Sequence, residues 1–487
     1  MGTKKVCRLR FSLTPQTVCH LGTVRLVLLN NLITRQKKGK LVFRYDDLES
    51  GTLTRKQETQ TIESLRWLGL TWDEGVDVGG DYGPYRQSER RAMYQKYVEK
   101  LVDEGKAYEC FCTSGELEYA RKQSLRSGLP PKYNEKCRFL SETEKNEYRK
   151  SGRKPVLRLR VAEQEVGFED LVLGEVVADT AEFGDFVIVK ADGSPMPNFA
   201  SVIDDHLMKI THVLRGHDHL ANTYRQLMVI SQLGIQAPVL AHVPILVNQD
   251  QSRLSKKYGS VVLNELREMG FLAEAIVHLL ALAELGPGIG LEKPFTLEAF
   301  AKKYKLGPGE GTQVVLPREQ LADINIMHIN KLRLQELVGR LTPFLAKVRF
   351  PNEHIMLRTL SALQPGLKRL DEIGQRLSFL ASSRYDYQRE YFPVTSRDEV
   401  RGLVDSLKVL AQKLRELPEW RGEEAERLVK EVAEERGESA RLVKSVMVAL
   451  TFGGSELSLP VIVELLGPEV TLKRFDLVLA FLKAECR

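Results

Sequence analysis

The N-terminal third of this chain is constrained most by the way an apolar alternation hands over to a helix. Val6, Leu9 and Phe11 mark a strand that runs into Thr14-Pro15-Gln16-Thr17-Val18-Cys19-His20-Leu21-Gly22, and a helical pattern begins near Thr23. Val24, Val27, Leu28 and Leu32 form one helix face, Gly39 ends the element, and Leu41-Val42-Phe43 reads as a buried strand leading to Tyr45-Asp46-Asp47. Strand, turn, helix and strand in this order make a βαβ unit. The expected fold is therefore a parallel, nucleotide-binding sheet whose site lies at strand C-terminal ends, where Asp46 and Asp47 fall. A His and a Gly at the first turn suit a phosphate. Gly22 lets the backbone approach closely, and the helix N-terminus presents free amides and the positive end of its dipole.

A second signal, Arg253-Leu254-Ser255-Lys256-Lys257, is a basic loop with one small hydroxyl residue, suited to reaching the same phosphates from another side. Neither signal is decisive by itself, because His-Leu-Gly occurs by chance and Lys-Lys loops are commonly solvated. Charge distribution adds weight. The net charge of the 487 residues is only +6, but the first 45 residues hold ten Lys or Arg and no Asp or Glu. That arrangement predicts a positive field around the His20 turn. Val24 to Ile33 is interrupted by Arg25, Asn30 and Asn31, so no secretory signal is visible, and no run reaches transmembrane length. Six cysteines in so long a chain do not make a disulfide framework. The expectation is a cytoplasmic protein with no membrane partner.

Further along, a helix is predicted from Ser88 to Gly105, with Met93, Tyr94, Tyr97 and Leu101 as its apolar or aromatic positions. Residues 107–195 change character, with a cysteine cluster and strand-like stretches such as Val156 to Val161, and read as an insertion into the nucleotide fold. Alternating strands and helices resume at Asn198-Phe199-Ala200. Beyond about residue 330, helical spacing dominates: Leu334, Leu337 and Leu341, then Leu403, Leu407, Leu410 and Leu414, then Leu442, Val446 and Leu450. The predicted fold class is an α/β Rossmann-type parallel core with an α+β insertion, followed by all-α C-terminal domains.

In this order the two signals resemble the ATP-binding signatures of class I aminoacyl-tRNA synthetases. The surrounding text resembles the glutamyl-tRNA synthetase family over essentially the whole chain: Leu65-Arg66-Trp67-Leu68-Gly69-Leu70-Thr71-Trp72-Asp73, Tyr82-Gly83-Pro84-Tyr85-Arg86-Gln87-Ser88-Glu89-Arg90, Asp204-Asp205-His206, Arg215-Gly216-His217-Asp218-His219 and Ala241-His242-Val243-Pro244. The resemblance implies a catalytic core in two halves (1–106 and 196–258) split by an acceptor-end-binding insertion (107–195). A stem-contact region (259–332) and two helical anticodon-binding domains (333–385 and 386–487) would follow. It implies a monomeric glutamate–tRNA ligase that uses ATP with Mg2+, forms glutamyl-adenylate and transfers glutamate to the 3′-terminal adenosine of tRNA, expected to be the glutamate tRNA.

The resemblance also assigns residues. His20 and Lys256 would be catalytic, stabilising charge as pyrophosphate leaves, with Gly22, Arg253 and Ser255 beside them at the ATP. Arg10 and Arg215 would hold the dicarboxylic amino acid, since a planar guanidinium takes a carboxylate bidentately. Asp46 would face the substrate amine. From the residues alone, His20 could instead be a capping histidine, Arg10 an ordinary strand residue, and Arg215 the partner of Asp218 or Asp205. Cys110, Cys112 and Cys137 resemble a family zinc site. The usual fourth ligand would be Phe139, which cannot bind metal, leaving Tyr133 as the substitute; the alternative is three reduced cysteines of a lost site.

Departures from the family text cluster in the amino-acid pocket. Thr17 replaces a Gly, Asp46 is one methylene shorter than the usual Glu, and Pro197 stands where a Tyr is usual. His217 and Arg253 replace a Glu and a Lys. Two other functions therefore stay open: a paralogue that adenylates a different amino acid or uses another acceptor, and a non-catalytic tRNA-binding protein.

Overall fold

The structure is a computed structural model that describes residues 6–15, 19–48, 55–128, 132–162, 165–254, 262–289, 293–309, 311–346, 348–381, 387–437, 439–453 and 455–485. Twelve strands run among the described residues: β1 (Arg8–Leu13), β2 (Lys40–Tyr45), β3 (Glu74–Gly75), β4 (Ala107–Cys110), β5 (Val156–Leu159), β6 (Glu165–Asp170), β7 (Gly174–Asp179), β8 (Val187–Val189), β9 (His212–Gly216), β10 (Val239–Val243), β11 (Ile245–Val247) and β12 (Gln313–Val315). The chain divides into two compact units. The first holds residues 1–265, 276–290 and 295–318; the second holds 266–275, 291–294 and 319–487.

In the first unit β1 pairs in parallel with β2, from Arg8 opposite Lys40 to Leu13 opposite Tyr45, and β2 continues in parallel to β3. On its other side β1 meets the start of β9, where the Thr211 amide donates to the Arg8 carbonyl at 2.9 Å. Parallel β10 extends β9 outward. The resulting order β3-β2-β1-β9-β10 is a doubly wound Rossmann core, as the opening βαβ reading predicts. Residues on both faces of β1 are buried, because helices cover a parallel sheet on both sides. Phe11 and Phe43 stack at 4.8 Å under the edge of Trp72.

The helix Leu21–Gln36 links β1 to β2. Gly39 is needed for the return, since a Cβ there would lie 2.3 Å from the Cys7 carbonyl oxygen. The helix expected from Ser88 is split into a 3-10 turn, Gln87–Arg90, and the helix Arg91–Asp103, because Arg90 turns inward onto Asp204. The stretch resuming at Asn198 is the helix Pro197–Leu207, with Pro197 in its first turn, where a missing N–H costs nothing.

Within 107–195, β4, β5 and β8 form an antiparallel sheet. Two helices accompany it, Ser114–Arg126 and Glu142–Lys150, each opened by a capping box. Not all of this stretch stands apart from the core. The β6–β7 hairpin joins the parallel sheet through Asp170 of β6, which pairs with Leu240 of β10.

The second unit is helical, as the leucine spacing predicts. Leu403, Leu407, Leu410 and Leu414 line the buried face of Arg397–Arg415, and Leu442, Val446 and Leu450 that of Ser439–Thr451. Leu459–Glu485 kinks at Gly467-Pro468. Among the described residues no helix is long and apolar enough to cross a membrane.

Candidate active site

A cavity of about 400 Å³ opens at the C-terminal ends of β1 and β9, the switch point of the sheet, lined among others by Arg10, Arg44, Asp46, Pro197, Asn198 and Arg215. Strand alternation sets Arg8 and Arg10 on one face of β1. Arg8 takes Glu74 bidentately, at 2.7 and 2.9 Å, which braces β1 against β3. Arg10 takes Asp205 in the same way, at 3.0 and 3.1 Å. Asp205 also accepts from Arg44 at 2.8 Å, and Arg44 grips Asp46 through two bonds of 2.6 and 3.1 Å. Burial opposes ionisation of Asp205, yet Arg10 and Arg44 hold its carboxyl below the usual range. Its neighbour Asp204 is fully buried against Arg90, Gln87 and Tyr94, and there burial prevails and raises the carboxyl.

Arg215 differs from the other two arginines. Only 9 % of it is exposed, and among the described residues no carboxylate lies in ion-pair contact with it. Neither Asp218 nor Asp205 is its partner; its Nε donates to His242 Nε2 at 3.1 Å and its Nη2 to the Thr223 hydroxyl. Burial, with Arg10 next, pushes its pKa down to about 10. Arg10 and Arg44 thus share Asp46 and Asp205 between them, with Asp204 also 3.9 Å from Arg44, whereas Arg215 has no carboxylate in ion-pair contact among the described residues. The surplus positive charge at Arg215 can be met by a carboxylate from outside the chain.

His20 caps the helix Leu21–Gln36. Its Nδ1 accepts from the amides of Gly22 and Thr23 at 3.1 and 3.3 Å, while the residue remains exposed. Desolvation keeps the imidazole pKa low. With Nδ1 accepting, the ring proton of the neutral form sits on Nε2, which leaves a donor for an external acceptor. A Cβ on Gly22 would meet the His20 ring at 3.0 Å, so glycine keeps the cap close. Ser255, Lys256 and Thr17 lie outside the described residues. Arg253 is described up to its backbone pairing: its carbonyl accepts from Asn248 Nδ2 at 3.0 Å, and it bridges to Val247.

The three cysteines meet, as the family resemblance implies. The sulfurs of Cys110, Cys112 and Cys137 all lie within 4.8 Å of one another, with 3.5 Å between Cys112 and Cys137. The Tyr133 oxygen is 3.4 Å from Cys110 Sγ and 3.6 Å from Cys112 Sγ. Hydrogen bonding from Cys112 and Tyr133 holds the Cys110 thiol well down. Three sulfurs and a phenolic oxygen at these separations fit a tetrahedral ion with bonds of about 2.0–2.3 Å. Phe139 is 80 % exposed and stands apart. Cys19 is a core thiol, pushed up to about 12 by burial, and Cys486 lies outside the described residues.

Sequence reasoning did not single out Arg44, Asp170, Thr223 or His242 as site residues. Arg44 carried a usable signal, since it shares a strand face with Asp46 two residues on. His242 lay in quoted family text but offered nothing local to mark it.

Strand order, the capped turn and the phosphate-suited helix terminus together define a Rossmann-type nucleotide-binding catalytic core. A family model for the catalytic domain of class I tRNA synthetases (E and Q) matches residues 6–306, and one for an anticodon binding domain matches 336–479. The glutamate--tRNA ligase of Carboxydothermus hydrogenoformans is 37% identical over 470 residues, covering 95% of this chain and 97% of that one. That of Sulfurihydrogenibium sp. is 35% identical with the same coverage. A crystal structure of a glutamate tRNA ligase from Elizabethkingia meningosepticum superposes with a TM-score of 0.82 at 23% identity, over 98% of this chain and 100% of that one, a likeness of fold. The chain belongs to the glutamate–tRNA ligase family of class I tRNA synthetases, and it is a ligase.

Proposed function

We propose that this chain joins glutamate to tRNA with ATP and Mg2+. A glutamate carboxylate oxygen attacks the α-phosphorus of ATP and pyrophosphate leaves. A hydroxyl of the terminal adenosine then attacks the acyl carbon and AMP leaves. The observation that carries glutamate is Arg215, a buried guanidinium with no carboxylate in ion-pair contact among the described residues, on the same cavity as Arg10. Together they suit a substrate with two carboxylates, while Asp46, its side chain 21% exposed beside Arg44, presents a negative edge to the amine. At the ATP, His20 Nε2, Lys256, Ser255 and Arg253 stabilise charge on the phosphates, and Gly22 permits close approach. The tRNA is the glutamate isoacceptor, the enzyme acts as a cytoplasmic monomer, and the six-part domain division follows the family pattern.

Cys110, Cys112, Cys137 and Tyr133 would hold a zinc ion, which when bound serves as a structural crosslink. These residues tie β4 to the loop before Cys137.

A second reading, a paralogue selective for another amino acid, draws on Pro197 in the cavity wall and on the shortened Asp46. Pyrophosphate exchange across the twenty amino acids, with total tRNA present, separates the two. Exchange fastest with glutamate supports the ligase, and faster exchange with any other amino acid overturns it.

A further inference from the structure

Arg215 is held by a chain of buried polar groups drawn from three other elements. His242, on β10, has no exposed surface. Its Nδ1 lies 2.7 Å from Asp170 Oδ2, at the end of β6, and Asp170 also accepts the His242 backbone amide at 3.1 Å. The opposite nitrogen, Nε2, faces Arg215 Nε at 3.1 Å and the Thr223 hydroxyl at 2.7 Å, and Thr223 in turn accepts from Arg215 Nη2. An arginine nitrogen can only donate, so His242 Nε2 must accept, and its proton must sit on Nδ1, donating to Asp170. Burial together with Arg215 keeps the imidazole from taking a second proton. Every group in this chain has one workable protonation state, and the Nε–Nη2 edge of the guanidinium is pinned by it.

On the reading of the cavity as the glutamate pocket, we infer that His242, fixed in one tautomer by Asp170, is a positioning residue that orients the Arg215 guanidinium for the substrate carboxylate. It touches no reacting atom. An arginine left to its rotamers would have to be ordered by each arriving substrate, whereas a pinned fork is ready. Asp170 comes from the hairpin that joins the core sheet only at its edge, so a residue of the inserted stretch reaches the pocket through β10.

The test uses the full-length chain in tRNA-supported pyrophosphate exchange, with KM measured separately for glutamate and ATP. Asp170→Asn changes no volume, but its amide can donate to Nδ1 and place a proton on Nε2, against Arg215. His242→Phe removes the acceptor and keeps a ring. Each is expected to raise the glutamate KM about tenfold or more, the equivalent of one lost hydrogen bond to a charged group, with kcat and the ATP KM within about twofold. His242→Gln, which retains an acceptor, should stay within about threefold of the parent protein. Thr223→Val, which leaves the Asp170–His242 pair intact, should raise the glutamate KM in the same selective way and keeps the question open to measurement if His242→Phe does not fold. Unchanged glutamate KM in folded Asp170→Asn and Thr223→Val proteins, or parallel increases for glutamate and ATP, would overturn the inference. Absence of glutamate-dependent exchange in the parent protein would instead overturn the functional reading itself.

Discussion

At the scale of single residues, the site is a matter of which arginine is already satisfied. Arg10 and Arg44 share Asp205, whereas Arg215 waits for a carboxylate, so the three cannot be interchanged. Lys256→Ala should abolish most adenylate formation in single-turnover assays with tRNA present while leaving tRNA affinity unchanged, because its charge matters chiefly as pyrophosphate departs. His20→Ala should do the same; an unaltered rate in either variant removes the assigned role. Pro197→Tyr should lower the glutamate KM by about threefold or more by supplying a hydroxyl to the cavity. It should cost about 0.4–1 kcal/mol of stability, since a proline compatible with the first helical turn stiffens the unfolded chain. Steady-state kinetics and urea melts of this one variant check both numbers.

At the scale of elements, the cysteine cluster depends on two backbone pieces arriving together. Cys110 at the end of β4 and Cys112 just beyond it meet Cys137, and the Tyr133 oxygen accepts the Cys137 amide at 2.8 Å while facing the sulfurs. Protein prepared without chelator should carry close to one zinc per chain by elemental analysis. Tyr133→Phe should lower that occupancy, and Cys137→Ser should abolish it. Metal-free protein with normal aminoacylation would leave the cysteines without a metal role.

At the scale of the whole molecule, protonation links the site to stability. His20, His206, His212, His219 and His242 are all depressed in the folded state, chiefly by burial. Their folded pKa values lie below the unfolded value of about 6.5, so the unfolded chain takes protons first as pH falls. The stability they contribute is complete above about pH 6.5 and is lost as pH falls through the lower folded values. A thermal melt should therefore show a lower Tm at pH 5.5 than at pH 7.5 at equal ionic strength. His242→Gln should shrink that difference, and an equal Tm at both pH values would contradict the assignment.

The opening strand, helix and strand, the helical second unit and the family itself were legible in the sequence, because each is written in contiguous text. Period-two and helical spacing decide which face is buried, and a motif such as Thr14 to Gly22 is read by local geometry at a helix N-terminus. The pairing of charged groups was not legible. Arg10 meets Asp205 across 195 positions, Arg215 avoids both acids once offered to it, and Asp170 reaches His242 from an inserted hairpin. Ion-pair partners are chosen by distance and by the cost of leaving water, and those quantities exist only after the chain has packed. The sequence by itself determined the layers, the nucleotide turn and the residue types at the pocket. Tertiary structure alone decided which guanidinium stays open to a substrate, because only burial can withhold both water and a partner from it.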